Sequence, residues 1–404
     1  MRVAMEPEDS GPMLEDLLDH DSVKVETVPE KKGILFLKHV EYKLVSPHFM
    51  LPVARRFSDF DVFHTLLLQR FIYRMVPPLP PKRVLKRVLR HKSERDFIET
   101  RRRGLQRFMT LVMRHPIISG DELVKVFMTA NSEDVQVKMR ETIKRIGDEY
   151  ITCPMSAIVK RFMPDDIQTQ TEVNREFICN MLSSFHKLRD VTERMSQRSQ
   201  ENSTDLLAFG KDLRALGSEK AQPPQVATAA PSWRSHRQSI HGLSEDFRIL
   251  ADKAKLQGAK EENEVVERLS LFLDLLQSYK DLCDRHASGI FMEHQRALQR
   301  RPEPLTELLE QPESRLAQQE NAIVTMELRS YFSLFCLHQE TQLVFTHLPL
   351  TTNILGAFIQ SQIQGHKDMG DFWSDLLPKL NTIFEGNSGI SSPPRSPCRR
   401  IIFP

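Results

Sequence analysis

The apolar positions of the chain keep one rhythm early and another later. Between residues 22 and 57 they fall in short runs rich in β-branched and aromatic side chains: VKVETV, then GILFLKHVEYKLV, bounded by Gly33 and Pro47. These runs predict two antiparallel strands, with ARRF, Ala54 to Phe57, as a third. From Asp61 to Ile72 the apolar residues Val62, Phe63, Leu66, Leu67 and Phe71 recur at helical spacing. VPPLPP, Val76 to Pro81, cannot be helix or central strand, because clustered prolines force an extended polyproline path. Arg95 to Arg114 is helical again, with Phe97, Ile98, Leu105, Phe108, Leu111 and Val112 on one face. This part reads as a small α+β domain, a three-stranded antiparallel sheet plus helices, over residues 22–133.

After residues 134–153, read as a linker, the strand signals vanish and helical patterns run from 154 to 386. A first helix carries Phe177, Met181, Phe185, Leu188 and Met195 on one stripe. The sharpest pattern is Val265, Leu269, Phe272, Leu276, Tyr279, Cys283, His286, Ile290, whose steps alternate four and three. That 3.5-residue repeat marks helices that coil around one another, so Val265, Leu269, Phe272, Leu276, Tyr279 and Ile290 are assigned to a dimer or bundle seam. A third run includes Leu316, Ile323, Met326, Leu334, Leu337, Val344 and Leu348. The Pro/Ala-rich stretch 221–232 and the prolines Pro302, Pro304 and Pro312 separate the three. Helices of some 50 residues, about 75 Å at 1.5 Å per residue, suit elongated bundles or dimers. Pro349 is expected to kink the third run, because apolar periodicity resumes at Ile354 and Phe358. The termini, 1–21 and 387–404, read as disordered, the first of them acidic.

Composition narrows the chemistry. The chain has 404 residues and a net charge of +2, so no global field points to nucleic acid or anionic lipid, and any such contact must come from a local patch. The five cysteines are scattered without a C-x-x-C pair, which supports neither a metal site nor a disulfide framework. No run of about 18 apolar residues exists to span a bilayer. No P-loop, G-x-S-x-G or H-E-x-x-H is present, so neither an enzyme nor a cofactor is indicated. The expectation is a protein of the cytoplasm, or one that lies on a membrane from the cytosolic side.

The local patch is at hand. Arg56 and Phe57 stand at a strand end, the proline loop finishes in Lys82, and a later helix begins with Arg101, Arg102 and Arg103. Guanidinium groups bind phosphate oxygens in bidentate fashion, a ring face stacks on a sugar-like ring, and a rigid proline loop makes one wall. Arg55 reads as a solvated or structural neighbour, and Arg102 and Arg103 as a solvated helix face.

Arg55-Arg56-Phe57-Ser58-Asp59-Phe60, the spacing Val76-Pro77-x-x-Pro80-x-Lys82, and Arg101-x-x-x-Leu105-x-x-Phe108 together resemble the phox-homology (PX) domain. With ENEVVERLSLFLDLLQSYKDLC and YFSLFCLHQETQLVFTHLPLT behind it, residues 22 to 385 resemble the sorting nexin family, PX–BAR type. The resemblance implies that an all-α BAR domain of three long coiled helices, dimeric, follows the PX domain. It implies that Arg56 clamps the 3-phosphate of phosphatidylinositol 3-phosphate, Phe57 stacks under the inositol ring, Lys82 meets the 1-phosphate and Arg101 bonds the 4- and 5-hydroxyls. It further implies a peripheral protein on the cytosolic face of early endosomes that senses or shapes membrane as a homodimer. Such a protein acts in protein transport, including endosome-to-Golgi retrieval.

Between the proline loop and the next helix the chain carries KRVLKRVLRHKSER, longer than in relatives of this type. Wound as a helix it sets Val84, Leu85, Val88 and Leu89 opposite Arg83, Lys86, Arg87 and Arg90, which suits insertion beside the headgroup pocket. Two other classes remain in view. A coiled-coil scaffold or adaptor needs no lipid. A nucleic-acid binder using residues 82–103 lacks interleaved aromatics and a recognisable module, so no nucleic acid is expected. Cargo proteins are not legible.

Overall fold

The computed structural model describes residues 23–28, 40–49, 51–82, 94–218, 230–299 and 312–385, with side chains described over 23–28, 40–49, 51–82, 94–218, 237–289 and 324–380. The insertion candidates Val84, Leu85, Val88 and Leu89, the break at 302–311 and both termini lie outside these residues. So does the side chain of Ile290. The structure clusters into two compact units, one within Met1–Arg189 and Glu267–Asn353, the other within Asp190–Val266 and Ile354–Pro404.

In the first unit the strands are β1 (Lys24–Thr27), β2 (Glu41–Val45) and β3 (Val53–Arg56), antiparallel in the order β1-β2-β3. Glu41 faces Arg56 across β2 and β3. The free side of β1 is closed by side chains of α2 (Glu94–Arg114): Gln106 Oε1 accepts the Val25 N–H at 2.7 Å and Arg102 donates to the Val25 carbonyl at 3.0 Å. An edge strand is thereby relieved of unpaired backbone groups. Helix α1 (Phe57–Arg70) follows β3 directly and buries Phe60, Phe63, Leu66 and Leu67. These meet Leu105, Phe108 and Val112 of α2 and Phe127 of α3 (Glu122–Thr129). Phe63 stacks on Phe127 at 4.0 Å, and Phe60 meets Phe127 and Phe108 edge-on. Each such pair contributes about 0.5–1.5 kcal/mol beyond its buried area.

Residues 134–153, expected as a linker, instead carry α4 (Val135–Ile146) and α5 (Glu149–Thr152). Val135 and Met139 of α4 belong to the core around Phe63, so this segment completes the α+β domain. The polar residues of α4 hid an apolar stripe only three residues deep.

Three long helical runs follow. The first is α6 (Ile167–Leu216), of 50 residues. The second is α7 (Ala230–Glu261), a π turn at Glu262–Val266 and α8 (Glu267–Gln299). The third is α9 (Pro312–Thr346) and α10 (Leu350–Glu385). Pro349 does more than kink the third: His347–Pro349 form a turn with i→i−3 bonds, His347 N–H to Val344 and Leu348 N–H to Phe345, before helix resumes at Leu350. Proline supplies no N–H and clashes with the turn behind it, so the helix stops and restarts.

Within the first unit, Leu269, Phe272, Leu276, Tyr279 and Cys283 of α8 are all buried. Tyr279 Oη lies 2.8 Å from Thr341 Oγ1 of α9, and Phe185 of α6 meets Phe272 edge-on. Val265 is buried in the π turn, whose residues belong to the second unit. The seam of that unit is more polar than the heptad pattern suggests. Ser196 Oγ donates to the Gly258 carbonyl and Ser203 Oγ to that of Ala251. The buried Glu261 carboxylate accepts from Ser199, Gln257 and Gln362, residues of α6, α7 and α10.

Candidate lipid headgroup site

The site is built where β3 turns into α1. Arg56 is the N-cap of α1 in extended conformation (φ −88°, ψ 161°), and its N–H is accepted by Asp59 Oδ2 at 2.8 Å. Asp59 is buried and its other oxygen accepts from Gln136 Nε2 of α4. A carboxylate three residues into the helix thus fixes the backbone of Arg56. The Arg56 side chain is 52% exposed, and among the described residues it is engaged through Nε, by Glu41 Oε1 at 3.3 Å. Glu41 is nearly buried and takes Nε, so it orients the guanidinium of a side chain that is itself half exposed.

Arg55 points the other way. It is 1% exposed and donates to the carbonyls of Ala54, Phe127 and Ala130, which ties β3 to the end of α3. Alternation along a strand sends neighbours to opposite faces, so of the two arginines one is structural and one looks outward.

Phe57, the first residue of α1, is half-buried against the core. The Arg101 guanidinium of α2 lies over its ring at 4.4 Å and over the Phe97 ring at 4.3 Å, a cation held between two aromatic faces. Arg101 Nη2 also donates to the Lys82 carbonyl at 2.6 Å, and the guanidinium lies beside the buried Tyr42 hydroxyl. Lys82 is 67% exposed, and its Nζ stands 2.8 Å from Asp61 Oδ2 of α1. Arg56, Phe57, Lys82 and Arg101 therefore lie at the start of α1, joined through Asp59, Asp61 and two rings.

The proline wall is seated by close packing. Residues 75–82 run without regular structure, and Gly104 of α2 faces Pro80; a Cβ built on Gly104 would stand 2.8 Å from Pro80 Cβ. Arg102 and Arg103, expected on a solvated face, are instead only partly exposed. Both pair with Glu99, and Arg103 also reaches Glu267 of α8. Glu41 and Gly104 were not singled out from the sequence, and Phe97, Asp59 and Asp61 were read as helix-face, motif and helix-start residues with no part in the site. The aspartate three residues after Arg56 was the one signal available, as an N-cap spacing.

A second arginine constellation lies in the same unit. Arg74, 2% exposed, bonds Glu149 at 2.7 Å, Gln339 at 2.9 Å and Glu340 at 3.2 Å. Glu340 Oε2 is 3.0 Å from His115 Nε2, and His115 Nδ1 accepts the N–H groups of Ile117 and Ile118. The ring is thus held with its proton on Nε2, toward Glu340. His115 and Arg74 hold the Glu340 carboxyl below the ordinary range despite its burial. This sealed cluster joins the α+β domain to α9 and offers nothing to a ligand.

The PX domain family matches residues 44–131. Sorting nexin-8 of Bos taurus is 54% identical over 399 residues, 95% of this chain and 85% of its own length. Sorting nexin-8 of Homo sapiens is 51% identical over the same length. The chain belongs to the sorting nexin family. Its fold is also that of a solved PX–BAR sorting nexin, described as the cryo-EM structure of the SNX-BAR Mvp1 tetramer; the match has a TM-score of 0.67 at 19% identity and covers 88% of this chain and 99% of the other. A PX domain with a three-stranded sheet is followed by a helical BAR-type domain, as the motifs of this sorting nexin implied. Sorting nexins of this type are non-enzymatic trafficking adaptors that meet membranes peripherally, and a PX domain implies phosphoinositide binding. No described helix is long and apolar enough to cross a membrane.

Proposed function

We propose that the chain binds phosphatidylinositol 3-phosphate on the cytosolic face of early endosomes and works there as a homodimer in protein transport, including endosome-to-Golgi retrieval. One observation carries the lipid reading: Arg56, Phe57, Lys82 and Arg101 gather at the start of α1 with half of the Arg56 side chain and most of Lys82 open to solvent. Guanidinium nitrogens suit a phosphate gripped in bidentate fashion, and the ammonium suits the second phosphate as a point charge. Arg101, its plane fixed between Phe57 and Phe97, suits the hydroxyls at the far side of the ring.

The dimer is favoured by an apolar stripe in the second unit. Leu355, Ile359 and Ile363 follow one another every four residues along α10 and are 45–57% exposed. Two weak headgroup sites on one dimer bind the same membrane together through effective concentration.

Vesicle co-sedimentation across a panel of phosphoinositides tests the reading, with wild type and Arg56→Ala side by side. Preference for the 3-phosphate lipid, lost in Arg56→Ala, is expected. Equal binding by both proteins, or none by either, contradicts lipid recognition and leaves the scaffold. Sedimentation at micromolar concentration tests the dimer, and a monomer refutes it.

A further inference from the structure

Lys82 and Arg56 both meet a carboxylate, but the two carboxylates are not alike. Glu41 sits in the middle strand of the sheet, nearly buried, opposite Arg56 in register, and engages only Nε. It orients the guanidinium and does not stand where a phosphate would. Asp61 is on the first turns of α1 with its side chain 36% exposed, and it takes the ammonium of Lys82 itself at 2.8 Å. An ammonium is a compact point charge, and its carboxylate partner stands where an anionic oxygen would stand.

We propose that Asp61 is an internal competitor of the lipid: it holds Lys82 in the unliganded chain and must release it to the lipid's phosphate. This rests on the reading of Arg56, Phe57, Lys82 and Arg101 as a headgroup site, and it adds a regulating residue to that site. The arrangement keeps the rim of the pocket closer to neutral until a phosphate arrives. An exposed pair of this kind is weak, so the effect on affinity is small and directional.

The test uses the full chain and a water-soluble, short-chain phosphatidylinositol 3-phosphate, which removes bilayer electrostatics. By titration calorimetry Asp61→Asn is expected to bind about two- to fivefold more tightly than wild type. The same substitution in a Lys82→Gln background is expected to change nothing, because the competitor then has no partner. Tightening that persists in the Lys82→Gln background is a general charge effect and overturns the proposal. So does unchanged or weaker binding by Asp61→Asn, the weaker case meaning that Asp61 positions Lys82. Arg56→Ala separates the two layers of the argument. If it abolishes binding while Asp61→Asn is neutral, only the competitor falls. If wild type and Arg56→Ala alike do not bind, the headgroup reading falls and the competitor with it. Thermal melting checks each variant; Asp61 is partly exposed on a helix surface, so equal midpoints are expected.

Discussion

Two clusters of arginine and carboxylate occupy the same unit and serve opposite ends. Around Arg74 every guanidinium nitrogen is engaged: Glu149, Gln339 and Glu340 surround it, and His115 closes the far side of Glu340. Around Arg56 the carboxylate meets Nε, the one engaged nitrogen among the described residues, and half the side chain faces water. Residue types alone do not separate these two places. Exposure does: 52% of the Arg56 side chain against 2% of Arg74. The sealed cluster is a joint and the open one is the proposed headgroup site, and the substitutions below separate them.

The largest effect is expected at the joint. Arg74→Ala leaves Glu340 and Glu149 buried with one cation fewer, and breaking such a pair costs about 3–5 kcal/mol. Chemical denaturation should show that loss, while the protein that remains folded keeps its lipid affinity. A loss of lipid affinity without a loss of stability would erase the distinction. At the open cluster the pattern inverts. Arg56→Ala removes a charged hydrogen-bonding group worth about 1.5–3 kcal/mol, roughly 10- to 150-fold in affinity, with little change in the unfolding midpoint. Gly104→Ala falls between. Its methyl meets Pro80, so overpacking costs about 1–3 kcal/mol and shifts the wall that carries Lys82, lowering stability and affinity together.

The smallest effect is a pH dependence. Burial pushes the imidazoles of His64, His286 and His347 below the ordinary 6.5. The unfolded chain therefore takes up protons first, and stability rises with pH. The contribution is complete above about pH 6.5 and is lost as pH falls through the lowered values. Melting at pH 7.5 and pH 5.5 should show a lower midpoint at the acid value; a higher one would mean that these rings are charged in the folded protein.

Much of this was readable in the sequence because periodicity and prolines act locally. The strands around Leu44 and Val53, the helix through Phe63 and Leu67, and the 3.5-residue stripe of α8 follow from side-chain spacing alone. What stayed hidden depends on contacts far apart in the chain. Arg55 and Arg56 are the same residue side by side, and only the core at Phe127 and Ala130 decides that Arg55 turns inward. Glu41 becomes the orienting partner of Arg56 through strand register, and Gln136 reaches Asp59 from 77 positions away. Helix α4 went unread because its inward face is narrow. The polar seam at Ser196, Gly258 and Glu261 went unread because hydrogen bonds between helices leave no apolar rhythm.

The central claim is that the terminal nitrogens of Arg56 receive the 3-phosphate, and it is met most directly by a structure of the full chain bound to short-chain phosphatidylinositol 3-phosphate. The account predicts that phosphate about 2.7–2.9 Å from the terminal nitrogens of Arg56, the inositol against Phe57, and Lys82 turned from Asp61 to the second phosphate. A headgroup bound elsewhere, with the Lys82–Asp61 pair intact and Arg56 still facing water, would contradict it.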